Sequence, residues 1–193
     1  MEAVRKKYSL PEKFILYIGT LQPRKNLPAL IEAYVKMSSE KRGDVKLVLA
    51  GGKGHNFDPQ IEDCIRAYSL KEYVFLPGFI DEADKPALIR SAHAFCFPSL
   101  YEGFGIPILE AMTLGVPVIA SDIPPHREVT KGAALLFDLE RPLDFSEKLA
   151  RIVSDSTLCS QLADKGREQA KNFSWRKTAE KMLEIYHKIS LKN

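Results

Sequence analysis

The sequence predicts a single α/β domain built on a doubly wound parallel sheet of about six strands, with extra helices after the last strand. Short, almost continuously apolar segments recur along the chain, which is typical of strands that are covered by helices on both faces. Each of the first four segments is followed by a turn and a helical pattern, and this alternation indicates parallel strands. After the sixth segment the alternation stops and three more helical patterns follow.

The spacing of the apolar residues places the individual elements. The predicted strands are 14–19, 46–51, 73–78, 94–99, 116–121 and 134–138. The predicted helices are 27–38, 59–69, 83–92, 106–114, 143–153, 155–171 and 175–190. Ligands of doubly wound sheets bind beyond the carboxyl ends of the strands. The loops to search are therefore 19–26, 51–58, 78–82, 99–106 and 121–128.

The composition excludes several classes of protein. In 193 residues, 45% hydrophobic and 27% charged side chains are globular values. The formal net charge of +3 suits an anionic small ligand and predicts no nucleic-acid partner, because such binders carry a dense basic face. The three cysteines lack metal-ligand spacing and are predicted to be buried thiols in a reducing compartment. With no signal-peptide pattern and no apolar run of about 18 residues, the chain is predicted to be cytoplasmic.

Two adjacent cations follow the first predicted strand. The loop GTLQPRKN places Arg24 and Lys25 directly before a helix that begins near Asn26. The loop lacks the G-x-G-x-x-G pattern of dinucleotide-binding proteins. Two cations beside the amide groups of a helix N-terminus form a site for a phosphate or pyrophosphate. The alternative is a solvated, charged turn that binds no ligand.

The other loops carry weaker signals. The loop GGKGHNF lacks the Ser or Thr of a P-loop and is predicted to be a tight surface turn. Phe79 is predicted either to present its ring or backbone to an aromatic base or to pack in the core. Trp175 is predicted to anchor the last helix by packing, and His126 to be structural or solvated. No D-x-D triplet and no ligand spacing of histidines occurs, so no metal site is predicted.

The segment EGFGIPILE places two carboxylates, Glu102 and Glu110, around a glycine-rich loop. Gly103 and Gly105 leave backbone amide groups accessible, and Pro107 suits the first turn of a helix. A helical spacing would separate the acids by about 12 Å, whereas a retaining hydrolase needs roughly 5 Å and an inverting one less than about 10 Å. We therefore expect the acids to hold two ends of one extended ligand, sugar hydroxyls at one end and ribose hydroxyls at the other. The alternative for Glu110 is an ion pair on a helix surface.

These motifs resemble those of a known family. EGFGIPILE, the GTLQPRKNL loop and the LPGFI turn are similar to the carboxyl-terminal, donor-binding domain of retaining GT-B glycosyltransferases, a group that includes glycogen synthases and bacterial mannosyltransferases. The resemblance runs from Phe14 to the last helix. It implies a Rossmann-like fold that forms one half of a GT-B enzyme. It also implies a nucleotide-diphosphate sugar as donor substrate, with no cofactor and no metal.

The resemblance implies a role for each site residue. Arg24 and Lys25 would hold the donor pyrophosphate and Glu102 would contact the transferred sugar, so these three are the implied catalytic residues. Glu110 would bind the ribose. The other implied donor contacts are Gly19, Thr20, Phe79, Gly103, Phe104, Gly105 and Ile106. Many members of the family carry an arginine where this chain has Thr20, which leaves more of the phosphate charge to Arg24 and Lys25.

The resemblance also implies an organisation in three parts. Residues 1–13 match an interdomain connector, 14–173 the donor-binding domain, and 174–193 a helix that crosses back towards an amino-terminal domain. We therefore expect the chain to be half of a larger enzyme of polysaccharide biosynthesis and to be inactive alone. The implied partners are the nucleotide-sugar donor, an acceptor glycan or lipid-linked sugar, and that amino-terminal domain. A peripheral position at the inner membrane would be reached only through the missing domain.

Two other functions stay open at this point. One is a stand-alone nucleotide-binding module without catalysis, which an upstream region lacking strand–helix alternation would favour. The other is a GT-B-like epimerase or phosphorylase that acts on sugars, which product analysis with a labelled donor would distinguish.

Overall fold

The structure, a computed structural model, describes residues 2–190 and has a parallel six-stranded sheet at its centre. The strands are β1 (Phe14–Ile18), β2 (Lys46–Ala50), β3 (Val74–Phe75), β4 (Ala94–Phe97), β5 (Val118–Ser121) and β6 (Leu135–Phe137). Their spatial order is β3-β2-β1-β4-β5-β6, so the chain reverses direction across the sheet between β1 and β4. The α/β, Rossmann-like, doubly wound sheet predicted from the sequence is confirmed.

Helices pack on both faces of this sheet. They are α1 (Glu2–Lys7), α2 (Leu27–Lys36), α3 (Ser39–Arg42), α4 (Gln60–Ala67), α5 (Lys85–Ser91), α6 (Ile106–Thr113), α7 (Pro124–Thr130), α8 (Pro142–Ser154), α9 (Ser156–Ala170) and α10 (Trp175–Ser190). Helix α2 contacts α4 and α8, whereas α6 contacts α5, α7 and α9. The two groups form the two helical layers.

Prolines account for the main differences from the predicted elements. Helix α7 was predicted as a loop because it begins with Pro124 and Pro125, but the first turn of a helix tolerates proline. Strand β3 is two residues long rather than six, since Pro77 has no N–H group for the sheet. Helix α1 lies within the segment predicted as a connector. It is too short to show a clear apolar period.

The core is formed by the strands and the inward faces of the helices. Residues 14–17 of β1 and 94–97 of β4 are buried throughout, as predicted for strands covered on both faces. Cys96 is buried as predicted, whereas Cys64 and Cys159 are half-buried. No helix within residues 2–190 is both long and apolar enough to cross a bilayer.

Helix α10 is an exception to this packing. It buries no side chain against the rest of the described chain, although its apolar residues share one face. Trp175 is 78% exposed, so the prediction that it anchors the helix is wrong. The aromatic ring instead lies at the edge of an open cavity described below. The predicted crossing of 174–193 towards another domain stays a prediction, and residues 191–193 lie outside the described chain.

Two glycines allow the ends of β1 and β2 to approach closely. A Cβ atom placed on Gly51 would lie 1.9 Å from the carbonyl oxygen of Gly19, and Gly51 has a φ of +158°. Gly19 donates its N–H to Ala50 at 3.0 Å, and Gly51 donates to Gly78 at 2.9 Å. Glycine at position 51 is therefore required for the loops after the first three strands to meet.

We expect Gly51→Ala to destabilise the domain by about 2 kcal/mol or more, because the new methyl group meets backbone that cannot move aside alone. Gly52→Ala is the matched control, since a Cβ atom there meets nothing within 4 Å. Thermal unfolding followed by circular dichroism compares the two variants. Equal melting temperatures for both variants would contradict this account of the close approach.

Candidate functional site

The candidate site lies where the chain reverses direction across the sheet. Strands β1 and β4 are neighbours there, and the helices that follow them lie in opposite layers, so their loops diverge and leave a crevice. The two loops are tied together by a hydrogen bond of 2.8 Å from the Leu100 N–H to the Arg24 carbonyl oxygen. Sequence reasoning located both loops correctly. The adjacency of their strands was not predicted.

Three charged side chains meet in this crevice. Arg24 and Lys25 lie in a short 3-10 turn after β1 (Pro23–Lys25), and both donate hydrogen bonds to Oε1 of Glu102, which follows β4. The Arg24 Nη1 distance to that oxygen is 3.1 Å. The Lys25 side chain is only 7% exposed and its ammonium lies 4.8 Å from the centre of the Phe97 ring. Because a lysine is rarely buried unless it is paired, the Glu102 carboxylate accounts for the burial of Lys25.

These cations also determine the charge state of Glu102. Burial alone would raise the pKa of this carboxyl group, but the hydrogen bond from Lys25 and the charges of Lys25 and Arg24 outweigh burial and hold the pKa below its ordinary value. Glu102 is therefore ionised at neutral pH. An ionised carboxylate accepts hydrogen bonds only, so it suits hydroxyl donors rather than a phosphate.

The glycine-rich loop turns directly into α6. Gly105 precedes the helix with φ 107° and ψ 43°, a left-handed conformation that favours glycine. No side chain caps α6, and the backbone N–H groups from Gly103 to Ile106 make no hydrogen bond within the described residues. Pro107 lies in the first turn as predicted. Free N–H groups at a helix N-terminus favour an anion.

The second carboxylate, Glu110, lies in the middle of α6. Its Oε1 accepts a hydrogen bond of 2.9 Å from Nζ of Lys85, the first residue of α5. Sequence reasoning missed Lys85, although its place just after the loop of a strand was a usable signal. Glu102 and Glu110 thus belong to separate ion pairs. That the two carboxylates do not act as the acid pair of a hydrolase stays a prediction.

An apolar cavity of about 710 Å³ lies beside Glu110. It includes Lys85 and Glu110 but neither Glu102 nor the two cations after β1, so it is a neighbour of the charged crevice rather than part of it. Phe104 of the glycine-rich loop is one of the residues that line it. The Phe104 ring packs edge-on against Phe173, with 5.8 Å between ring centres.

The remaining predicted donor contacts lie in the loops after β1 and β3. Phe79 is 70% exposed, so the alternative that it packs in the core is wrong. Its ring is free for a planar ligand, and that role stays a prediction. Gly19 directly follows β1, and the carbonyl oxygen of Thr20 accepts a 2.7 Å hydrogen bond from the Tyr17 hydroxyl. In the part of the chain that the structure describes, no three metal-binding side chains cluster, and metal independence also stays a prediction.

His126 is a fully buried residue of α7 rather than part of a solvated loop. Its Nδ1 lies 2.9 Å from the Ser121 carbonyl oxygen, so that nitrogen carries the proton. Burial lowers the pKa of the imidazole and outweighs the opposing effect of the Ser121 carbonyl. The ring is therefore neutral. The ring packs at a tilt of 53° against Phe97, whose ring the buried Lys25 ammonium also approaches.

We expect His126 to make the domain less stable in mild acid. Its stabilising contribution is complete above about pH 6.5, the ordinary value for histidine, and is lost as the pH falls towards the lowered pKa of the folded state. Urea unfolding at several pH values should show this loss for the wild type and not for His126→Leu. His55→Leu, which changes an exposed histidine, is the control. A wild-type stability that does not change between pH 7 and 5 would contradict the buried, neutral ring.

Comparison with known proteins identifies similar chains. O-antigen chain mannosyltransferase B of Escherichia coli is 34% identical over 184 residues, which cover 95% of this chain and 48% of that protein. Sucrose-phosphate synthase from Thermosynechococcus elongatus has a structure that matches all of this chain and 50% of its own, with a TM-score of 0.85 and 26% identity. A variant of TarM from S. aureus, solved in complex with UDP among other ligands, matches 91% of this chain and 35% of its own, with a TM-score of 0.79 and 25% identity.

The chain thus spans about half the length, or less, of these relatives. The model of one family, described as glycosyl transferases group 1, matches residues 1–169. The match covers the loops after β1 and β4 and the whole of α6. The chain belongs to the group 1 glycosyltransferases and is a glycosyltransferase domain with the Rossmann-like fold of a GT-B enzyme.

Proposed function

We propose that this chain binds the nucleotide-diphosphate sugar donor of a retaining glycosyltransferase. The observation that supports this most is the juxtaposition of Arg24 and Lys25 with the free N–H groups of the loop 103–106. One side of the crevice supplies positive charge and the other supplies backbone donors. A pyrophosphate is an anion with acceptor oxygens on all sides, and it would accept hydrogen bonds from both.

The same groups would stabilise the diphosphate as it leaves. When the bond between the sugar and the diphosphate breaks, negative charge develops on the leaving oxygen, and fixed donors around it lower the barrier. Arg24 is 45% exposed and retains unused guanidinium donors, while Lys25 has three N–H donors in all. Each cation could therefore donate hydrogen bonds to the phosphates and still keep a hydrogen bond to the Glu102 carboxylate. In this proposal no divalent cation is needed to stabilise the negative charge of the leaving diphosphate.

The two carboxylates would bind the two ends of the donor. Glu102 is ionised and held beside the cations, so it can accept hydrogen bonds from hydroxyls of the transferred sugar. Glu110 lies in α6, after the glycine-rich loop, and would accept hydrogen bonds from the ribose hydroxyls. Because the 34% identical relative is named a mannosyltransferase, mannose is the sugar to test first.

The acceptor would be bound largely by a second domain. The chain covers about half of its relatives, and Leu100 and Tyr101, directly before Glu102, are 50% and 72% exposed. An acceptor glycan or lipid-linked sugar needs walls on that side that exclude water from the reacting atoms. We propose that the second domain supplies those walls and that α10 packs against it.

Nucleoside diphosphate should bind this chain equally well in EDTA and in magnesium, and more weakly at high salt. Arg24→Ala should weaken binding about 10- to 100-fold, the effect of losing a hydrogen bond between charged groups of roughly 1.5–3 kcal/mol. Calorimetric titration with UDP, GDP and ADP measures both effects and identifies the preferred base.

Arg66→Ala is the matched control for that titration, because Arg66 pairs with Asp63 on the exposed face of α4. Its affinity should equal that of the wild type. Binding that requires magnesium or manganese, or that is the same with and without Arg24, would refute the proposed phosphate site.

The isolated chain should bind the donor and transfer no sugar at a measurable rate. Holding the anomeric carbon and an acceptor hydroxyl within about 3–3.5 Å requires both sides of the cleft, and this chain forms one side. The assay is turnover of labelled donors by the purified chain with several acceptors, repeated after addition of an upstream domain. Robust transfer by the chain alone would show that the second domain is unnecessary.

Release of an epimer or a sugar phosphate would favour the epimerase or phosphorylase alternative.

A further inference from the structure

Between Gly103 and Gly105 the glycine-rich loop has one side chain, that of Phe104. A Cβ atom placed on Gly103 would meet nothing within 4 Å, so this end of the loop is open. The backbone N–H groups here make no hydrogen bond within residues 2–190. Because glycine loses much conformational freedom when it is fixed, such a loop needs a contact outside its own backbone to keep one conformation.

The ring of Phe104 makes such a contact with Phe173. The ring centres are 5.8 Å apart and the ring planes are inclined by 75°, which is the edge-to-face geometry that aromatic pairs favour. Phe104 is 40% exposed, Phe173 is half-buried, and both border the open apolar cavity. The pair is thus partly open to water and lies outside the core. Stabilising the fold as a whole is a weak explanation for it.

The position of Phe173 is determined by α9. Phe173 is the third residue after that helix, and its N–H donates to the carbonyl oxygen of Ala170 at 3.1 Å. Helix α9 is itself packed closely on α6, since a Cβ atom placed on Gly166 would lie 3.3 Å from Cγ of Met112. Phe173 therefore approaches the glycine-rich loop from a fixed point, although α10, which follows it, buries no side chain.

We propose that Phe173 is a positioning residue that holds the glycine-rich loop, through the ring of Phe104, in the conformation in which its backbone N–H groups face the diphosphate. The inference rests on the proposed function, in which these N–H groups bind the diphosphate. Holding the loop in advance reduces the entropy that is lost on binding. Phe173 acts through Phe104 and not through a contact with the ligand.

A double-mutant cycle tests this role. The measured quantity is the affinity for whichever of UDP, GDP and ADP binds most tightly, determined by calorimetric titration. Phe173→Ala should weaken binding about 3- to 10-fold, the effect of losing one aromatic pair. Phe104→Ala should weaken it at least as much, and the double variant should bind no more weakly than Phe104→Ala alone, because both changes remove the same contact. Phe173→Tyr keeps the ring and should bind within about twofold of the wild type.

Two controls accompany the cycle. Tyr68→Ala removes an aromatic side chain that is 44% exposed and directly follows α4, and it should leave the affinity unchanged. The nucleoside that lacks the phosphates is titrated by ligand-observed NMR. Its affinity should be the same for the wild type and Phe173→Ala, because Phe173 acts on the phosphate contacts alone.

The possible outcomes separate this inference from the proposed function. If the wild type binds no nucleoside diphosphate, the proposed function is wrong and the inference falls with it. If the diphosphate binds and Phe173→Ala leaves its affinity unchanged, the positioning role alone is overturned. The same follows if the effects of the two single variants multiply in the double variant, or if the nucleoside loses affinity by the same factor as the diphosphate.

A melting temperature close to that of the wild type confirms that each variant folds. Phe173→Leu, which keeps apolar volume without the ring, replaces Phe173→Ala if that variant does not fold.

Discussion

The ion pair of Lys25 with Glu102 is the interaction on which the arrangement of the site depends. It joins the loop after β1 to the loop after β4, and these strands lie side by side although β2, β3 and the helices α2 to α5 separate them in the chain. Lys25 and Glu102 are 77 positions apart. Without Glu102, a lysine would be buried beside Phe97 with no counter-charge. The pair therefore keeps a cation in the floor of the crevice and keeps the acid ionised, and one contact prepares both groups.

Sequence patterns predicted the strands, most helices and both carboxylates, because each depends on local periodicity or on residues close together in the chain. They predicted neither the pairing of Lys25 with Glu102 nor that of Lys85 with Glu110, since such contacts depend on strand order and on how two helices pack. Trp175 was misjudged for a related reason. A large aromatic residue usually packs, but whether a surface is available to it is a property of the whole fold.

Two carboxylates with lysine partners create different conditions at the two ends of the glycine-rich loop. Glu102 lies between two cations that lower the pKa of its carboxyl group, so the carboxylate stays charged beside the expected phosphates. Glu110 has one lysine partner and one oxygen without a hydrogen bond in the described chain, and it borders an apolar cavity. A ligand that spans the loop meets dense charge at one end and a mostly apolar wall at the other. That asymmetry favours one orientation of an elongated ligand over the reverse.

Helix α10, which has no buried residue in the described chain, affects how the molecule would associate with a partner. Its 16 residues bury nothing against the described chain, and an isolated helix of this length is marginal in water. In the arrangement proposed above, in which a second domain covers the apolar face of α10, ordering of the helix would be coupled to docking. Such coupling lowers the affinity, because the entropy cost of ordering the helix offsets part of the favourable contact energy, and the attachment stays reversible. A contact of this kind between α10 and a second domain could dissociate and re-form without disturbing the sheet.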